Sequence, residues 1–383
     1  MSVPRMTAEG AIEFEALEAQ AASLMGLFTK AGYERVAPAF IQPASLFLDR
    51  IGETLRARTY VFTDPDGEEL CLRPEMTIPV CRVFLERPGT EEKVKFCYNG
   101  PAFRIQKGKP DALRPREFRQ AGIEYFGAAR QEADLEVLAL TIEAVRSSGF
   151  KSFIVKAGHI GIFSALLNAL SMPQRWRERL ARAFWRPQAF GNELHALSRP
   201  QEVDASAFSS IPLTAEGFLN HLDARGIPFV GLRRPEEIVK RLQDKAADAG
   251  ETPLPKSTVQ LLESYLNIKG EMPAALSTVE KLFAAAKLEP AEPIGQVDAV
   301  FRRLNSIAGP VPAQFEAGFG RHFEYYSGLV FQIEVEGAGH AGQIAGGGRY
   351  DGLIRALSEN RRDVPAVGAA IHTERLLAAI RRS

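Results

Sequence analysis

Three short constellations in this chain carry side chains able to grip a small charged molecule. The first is Leu72-Arg73-Pro74-Glu75-Met76-Thr77. On an extended segment Glu75 and Thr77 would point to one face, a carboxylate beside a hydroxyl, suited to an ammonium group. The same residues also suit a turn leading into a capped helix, with Pro74 and Glu75 in the first turn. The second pairs Gly100-Pro101-Ala102-Phe103-Arg104 with Arg116-Glu117-Phe118-Arg119-Gln120-Ala121-Gly122-Ile123-Glu124. In a regular strand Phe118, Gln120, Gly122 and Glu124 share a face, placing an amide and a carboxylate around a glycine gap. Arg104 offers a guanidinium for a carboxylate or phosphate. A solvated sheet face with a basic hairpin loop would give the same pattern. The third joins Gly318-Phe319-Gly320-Arg321-His322-Phe323-Glu324-Tyr325-Tyr326-Ser327-Gly328 to Gly346-Gly347-Gly348-Arg349-Tyr350-Asp351-Gly352. Three adjacent glycines require a tight turn or a backbone pressed against something. No Lys-Ser/Thr follows them, so they do not make a phosphate loop.

The elements that would position these residues read as a mixture of strands and helices. Leu17, Ala21, Leu24, Met25 and Phe28 recur at helical spacing, with Thr7 as a cap before them and Gly32 as the stop. Asp64-Pro65-Asp66-Gly67 between two apolar triplets signals a hairpin. Runs over 94–104 and 117–126 follow with only a loop between them, which argues for an antiparallel sheet. Residues 131–148 read as a helix. From about 151 to 312 helical patterns over 235–247, 258–268 and 278–288 alternate with Pro/Gly connections. Strand alternation returns at 329–335. We expect a sheet domain split in sequence, 1–150 with 313–383, around a span 151–312 that continues the core and holds a mostly helical insertion.

Composition sets outer limits. The 383 residues carry 47 basic and 47 acidic side chains, a balance that weighs against a general nucleic-acid binder. Cys71, Cys81 and Cys97 have no metal-ligand spacing, so we expect no metal and a reducing, cytoplasmic setting. No apolar run approaches the roughly 18 residues of a membrane span.

Taken in order, these segments resemble the signatures of class II aminoacyl-tRNA synthetases, and of the histidyl enzymes in particular. Arg73 to Thr77 is similar to their Arg-Pro-Glu-x-Thr segment, and Phe103-Arg104 with 118–124 to motif 2. Residues 321–326 and 347–352 resemble the two histidine-specific signatures. Val364 to Leu377 resembles motif 3. The resemblance implies an α+β fold, an antiparallel sheet flanked by helices. It implies that Glu75, Thr77, Gln120 and Glu124 hold the amino end of histidine. Tyr326 and Tyr350 would line its imidazole pocket with Tyr325 beside them, and Arg104 and Arg321 would contact its carboxylate and activated end. Arg375 would face ATP phosphates. Pro38 matches motif 1, which implies a homodimer.

The departures are specific. Gln106 stands where the family has an acidic residue, and His372 where motif 3 has glycine; His322 and Glu324 also differ from the signature. An imidazole at 372 would crowd the adenine site, so Gln106, His372 and Arg375 read as a vestigial nucleotide site. No anticodon-reading domain follows motif 3 before the sequence ends. Together these features are similar to the ATP phosphoribosyltransferase regulatory subunit family. That implies a chain with no catalytic residues and no cofactor of its own. It would activate a short-form catalytic subunit in a hetero-oligomer and sense histidine, the product of that pathway. The alternative is a truncated synthetase-like enzyme that forms histidyl-adenylate.

Overall fold

The computed structural model describes residues 11–48, 56–87, 93–106, 115–128, 130–199, 212, 214–229, 234–248, 250–289, 291–319, 325–335 and 342–382. Thr7, Arg321, His322 and Glu324 lie outside them. The chain forms two compact units, one from Met1–Leu166 with Tyr265–Ser383, the other from Leu167–Ser264.

The first unit is built on strands β1 (Glu34–Arg35), β2 (Ile41–Pro43), β3 (Val61–Thr63), β4 (Glu69–Leu72), β5 (Val94–Phe103) and β6 (Glu117–Phe126). It continues with β7 (Phe153–His159), β8 (Lys269–Glu271), β9 (Ala313–Glu316), β10 (Leu329–Val335), β11 (Gln343–Arg349) and β12 (Ala366–His372). Nine of these make one sheet in the order β1-β5-β6-β12-β11-β10-β7-β9-β8. Its centre, from β5 to β7, is antiparallel throughout. The sheet as a whole is mixed, because β1 joins β5 and β9 joins β7 in parallel. The last strand in sequence, β12, lies in the middle of the sheet, so motif 3 sits directly beside motif 2.

The central strands present unlike faces. Ile123, Ala345, Ile371, Phe331 and Val155 line one face, each at most 1% exposed. Against it pack helices Ala11–Lys30, Arg130–Ser147 and Thr373–Ile380. Leu17, Leu24 and Phe28 from the first supply apolar area, each buried side chain contributing about 1.5–3 kcal/mol. Gly32, at φ +88°, ends that helix in the left-handed region a glycine tolerates. The opposite face carries Tyr98, Gly100, Gln120, Gly122, Glu124, Gly348 and Gly368, and it holds the site described below.

The expected hairpin closes β3 onto β4, with Asp64 Oδ1 accepting the amides of Asp66 at 3.0 Å and Glu68 at 2.9 Å. It belongs to a separate three-stranded sheet, β2-β4-β3. That sheet leaves Phe40, Ile41, Val61 and Phe62 39–52% exposed.

In the Leu167–Ser264 unit, helices Gln174–Ala183 and Pro187–Leu197 pack together, as do Ala215–Asp223 and Pro235–Asp248. Asp248, 2% exposed, joins them by accepting from Trp176 Nε1 at 2.6 Å, Arg175 Nε at 2.7 Å and Arg179 Nη1 at 2.5 Å. Both tryptophans of the chain, Trp176 and Trp185, lie in this unit. Asp248→Ala would leave the Trp176 indole N–H without its acceptor and take one carboxylate from each of Arg175 and Arg179, which keep Glu251 and Glu193, a loss of about 2 kcal/mol. Urea unfolding followed by tryptophan fluorescence should show an earlier midpoint, and an unchanged one would refute the role given to Asp248.

Candidate functional site

Glu124 is fully buried in the middle of the sheet, where an isolated carboxylate would be costly. The sequence around it meets that cost in two ways. Tyr350 Oη donates to Glu124 Oε2 at 2.5 Å, and Tyr98 Oη to Oε1 at 3.3 Å. The carboxylate also lies in a notch over Gly368, its register partner on β12, where any Cβ would collide with Oε2. Gly122 leaves a second gap on the same face, filled by the phenol of Tyr98. Burial pushes the Glu124 carboxyl up to about 8. Hydrogen bonds from Tyr350 and Thr77 oppose that rise, while the negative charge of Glu75 adds to it.

Glu75 and Thr77 meet differently from the extended segment expected of them. Thr77 opens helix Thr77–Glu86 after Met76 at its N-cap, and Glu75, just before the cap, accepts amides of the first turn. Glu75 Oε2 accepts the Thr77 amide at 2.7 Å and Oε1 the Ile78 amide at 2.8 Å. The capped-helix alternative therefore describes the local geometry, but on a buried turn, with Glu75 2% exposed. Burial raises its carboxyl above the ordinary range, against the pull of the two amides and of Arg104.

Arg73 anchors this turn. It is 1% exposed, and its Nη1 donates to Pro38 O at 2.5 Å and its Nε to Pro101 O at 2.8 Å. Its guanidinium also lies 4.4 Å from the centroid of the Phe40 ring. Burial lowers its pKa to about 10, with Glu75 opposing. The glycine at 100 is required here, since a Cβ would lie 2.7 Å from Arg73 Nη2.

The aromatic wall is assembled from two distant segments. Tyr325 and Tyr326 have ring centroids 5.0 Å apart, and Tyr325 meets Tyr350 edge-on at 5.8 Å. Tyr326 and Tyr350 are buried, while Tyr325 and Thr77 stay half-buried. Gly346-Gly347-Gly348 is no turn; it lies within β11. A Cβ on Gly347 would strike the Gly368 carbonyl, and one on Gly348 would lie 2.9 Å from the Tyr326 ring. Gln120 completes the polar set. It is 6% exposed, and its Oε1 has no hydrogen-bond partner among the described residues.

The remaining candidates gather around Phe118. His372 faces Gln120 in register, and its ring centroid lies 5.5 Å from that of Phe118. Arg104 lies over the same ring at 4.8 Å and donates through Nε to Pro74 O at 2.8 Å. Gln106 accepts from Arg58 Nη2 at 2.7 Å and donates to Pro115 O at 3.2 Å, bracing the stem of the motif 2 loop. Arg375 Nη1 donates to Gln343 O at 3.2 Å. Thus Glu75, Thr77, Glu124 and Tyr350 come together as one buried cluster, with Tyr325 and Tyr326 beside it. Gln120 looks from the same face toward His372. Tyr98 and Gly368 were missed by sequence reasoning. Tyr98 stands two residues before Gly100 with no local signal, whereas the glycine of Ala366-Val367-Gly368-Ala369 inside an apolar strand was a signal of close approach.

Comparison with known proteins places this geometry. The family model described as histidyl-tRNA synthetase matches residues 10–376. The ATP phosphoribosyltransferase regulatory subunit of Brucella anthropi is 34% identical over 350 residues, covering 88% of this chain and 90% of the relative. That of a Chelativorans species is 34% identical over 369 residues, covering 93% and 96%. The chain belongs to this regulatory-subunit family. Solved structures share its fold. One, from Bacillus halodurans, is described as an ATP phosphoribosyltransferase regulatory subunit/histidyl-tRNA synthetase. It gives a TM-score of 0.69 at 20% identity and covers 99% of this chain and 83% of its own. Histidyl-tRNA synthetase from Nostoc gives 0.64 at 14% identity, covering 100% and 75%. The fold is therefore that of class II synthetases, as the ordered motifs implied.

Within this family member Glu124 has a measurable signature. Its folded-state value lies above the ordinary 4.5, so its protonated form favours the folded chain. That contribution is full below about pH 4.5 and is lost as the pH rises through about 8. Glu124→Gln keeps the shape without the charge. Its stability should fall less steeply over that interval, the difference in slope approaching the one-proton limit of about 1.4 kcal/mol per pH unit. Urea midpoints measured from pH 5 to 9 that run parallel for the two proteins would contradict this assignment.

Proposed function

We propose that this chain is a histidine-sensing, non-catalytic regulatory subunit that activates a short-form ATP phosphoribosyltransferase catalytic chain in the first step of histidine biosynthesis. The observation that carries the reading is a pocket of buried acceptors. The carboxylates of Glu75 and Glu124 and the unpartnered Oε1 of Gln120 call for a ligand bearing N–H donors and positive charge. Tyrosines 98, 325, 326 and 350 add stacking area and hydroxyls suited to an imidazole. Histidine brings both an ammonium and an imidazole. Arg104 would meet its carboxylate.

The nucleotide side supports the regulatory part. His372 rests against Phe118 on the pocket face, occupying aromatic surface that an adenine would otherwise stack on. Gln106 supplies no charge to a metal–ATP complex, and its amide is committed to Arg58. The exposed apolar residues Phe40, Ile41, Val61 and Phe62 suit a homodimer within the hetero-oligomer, in the cytoplasm. Regulation then follows from linkage: histidine must bind one state of the complex more tightly, and about 1–3 kcal/mol of coupling gives a 5–150-fold effect.

The deciding assay measures phosphoribosyl transfer by the short catalytic subunit with and without this chain, titrated with histidine. Stimulation that histidine reverses is expected. If the chain has no effect on that partner, the regulatory reading fails; histidine-dependent exchange of pyrophosphate into ATP would establish an adenylate-forming enzyme instead. In calorimetry Glu124→Ala should weaken histidine roughly 10–150-fold, the value of one charged hydrogen bond. Binding at pH 7 should release roughly one proton from Glu124, since a cation requires its ionised form. Unchanged affinity in Glu124→Ala would remove Glu124 from the pocket. His372→Gly should raise affinity for AMP or ATP in equilibrium dialysis, and equal binding would refute the steric role of His372.

A further inference from the structure

The aromatic wall of the pocket depends on residues that never face it. Arg349 lies on β11, opposite Val367, and so points to the helix-covered side of the sheet. It is 2% exposed. Its Nε and Nη2 both reach Asp134 Oδ1 at 2.8 Å, on helix Arg130–Ser147, and its Nη1 reaches Asp351 Oδ1 at 2.9 Å. Burial disfavours its charge, but the two aspartates more than offset that. The backbone on either side is tied into the same knot. Arg349 O accepts the Ser327 amide at 2.8 Å, Ser327 Oγ accepts the Asp351 amide at 3.0 Å, and Asp351 Oδ1 accepts the Ala366 amide at 3.2 Å. Gly328 presses on the Arg349 side chain, where a Cβ would lie 3.0 Å from Cδ. The knot therefore joins the segment of Tyr325 and Tyr326, the residue Tyr350 and the start of β12 to one helix behind the sheet.

Resting on the histidine-pocket reading, we infer that Asp134 and Arg349 are positioning residues for ligand recognition: through Tyr350 and the Ser327 segment they set the aromatic wall that closes on the imidazole. A salt bridge that served stability alone could have been placed anywhere on the helix. This one clamps the two peptide segments whose tyrosines converge on Glu124. A shift of Arg349 would carry Tyr350, its chain neighbour, away from its 2.5 Å bond with Glu124.

The test is a double-mutant cycle in the full chain without ligand, Asp134→Asn against Tyr350→Phe, read as urea midpoints. These side chains lie on opposite sides of the sheet, so independent roles would make their shifts add. We expect the double variant to shift less than the sum, because the Tyr350 bond is already weakened once Asp134 is neutral. Full additivity overturns the inference. Arg349→Lys replaces Asp134→Asn if the latter does not fold. Calorimetry adds the ligand arm. Asp134→Asn should lose about 10-fold in histidine affinity while keeping most of its affinity for 2,3-diaminopropionate, which has two amines and no imidazole. Equal losses for both ligands also overturn it. If the unaltered chain binds no histidine, the pocket reading falls, and the cycle alone still decides whether the knot acts on Tyr350.

Discussion

Burying one carboxylate in the middle of a sheet is the constraint from which much of this structure follows. An ionised Glu124 without partners would not be tolerated at full burial. The chain meets this with a glycine at 368 to leave room, two phenols to donate, and a raised proton affinity. Each of these choices propagates. Tyr98 can reach the carboxylate only because residue 122 has no side chain, and the backbone of β11 can lie flat beside β12 only because residue 347 has none. The glycines scattered through these strands weaken them one by one. Gly122 and Gly368 leave room for the phenol of Tyr98 and the carboxyl of Glu124, while Gly347 allows close approach of β11 to β12.

Two buried guanidinium groups brace the segments around Glu124, with different tasks. Arg73 stands at the end of β4 and fastens the Glu75 turn to the carbonyls of Pro38 and Pro101, using almost no acid partner. Arg349 works from behind the sheet with two aspartates. The first ties the polar end of the pocket to the small three-stranded sheet, whose apolar side chains are exposed. The second ties the aromatic end to helix Arg130–Ser147. Anything that moves either support changes the pocket without touching the ligand, a natural arrangement for a protein whose proposed work is to couple one site to another.

Much of this was legible in the residues. The alternation of 117–126 gave the shared face of Gln120, Gly122 and Glu124, and Asp64-Pro65-Asp66-Gly67 gave the hairpin, because strand period and turn chemistry are local. The parallel pairings of β1 and β9 were not legible, since the pairing of strands only two to four residues long is chosen by tertiary neighbours. The Glu75 segment stays open between strand and capped helix in sequence, because a two-residue spacing fits a strand face as well as a helix start. Only burial and the backbone decide between them. Tyr98 acts through a partner 26 residues away in sequence, and Asp134 and Arg349 through each other, 215 apart, and no spacing rule reaches that far.

On the proposed reading, the two ends of this face differ in a way that suits a sensor and not an enzyme. At the Glu124 end the structure spends its glycines and tyrosines on keeping acceptors buried, so ligand binding there has a large electrostatic consequence. At the Phe118 end the aromatic surface is already covered by His372, and Gln106 is braced by Arg58. An enzyme forming an adenylate must bring both reactants to one point and stabilise charge that develops between them. A sensor needs only the first half, a site whose occupancy carries enough free energy to bias its assembly. On the proposed reading, a buried carboxylate that gives up its proton to admit a cation would be well matched to that task, because the same event would reorganise the hydrogen bonds of Tyr98 and Tyr350 and, through Tyr350, would reach the ion knot behind the sheet.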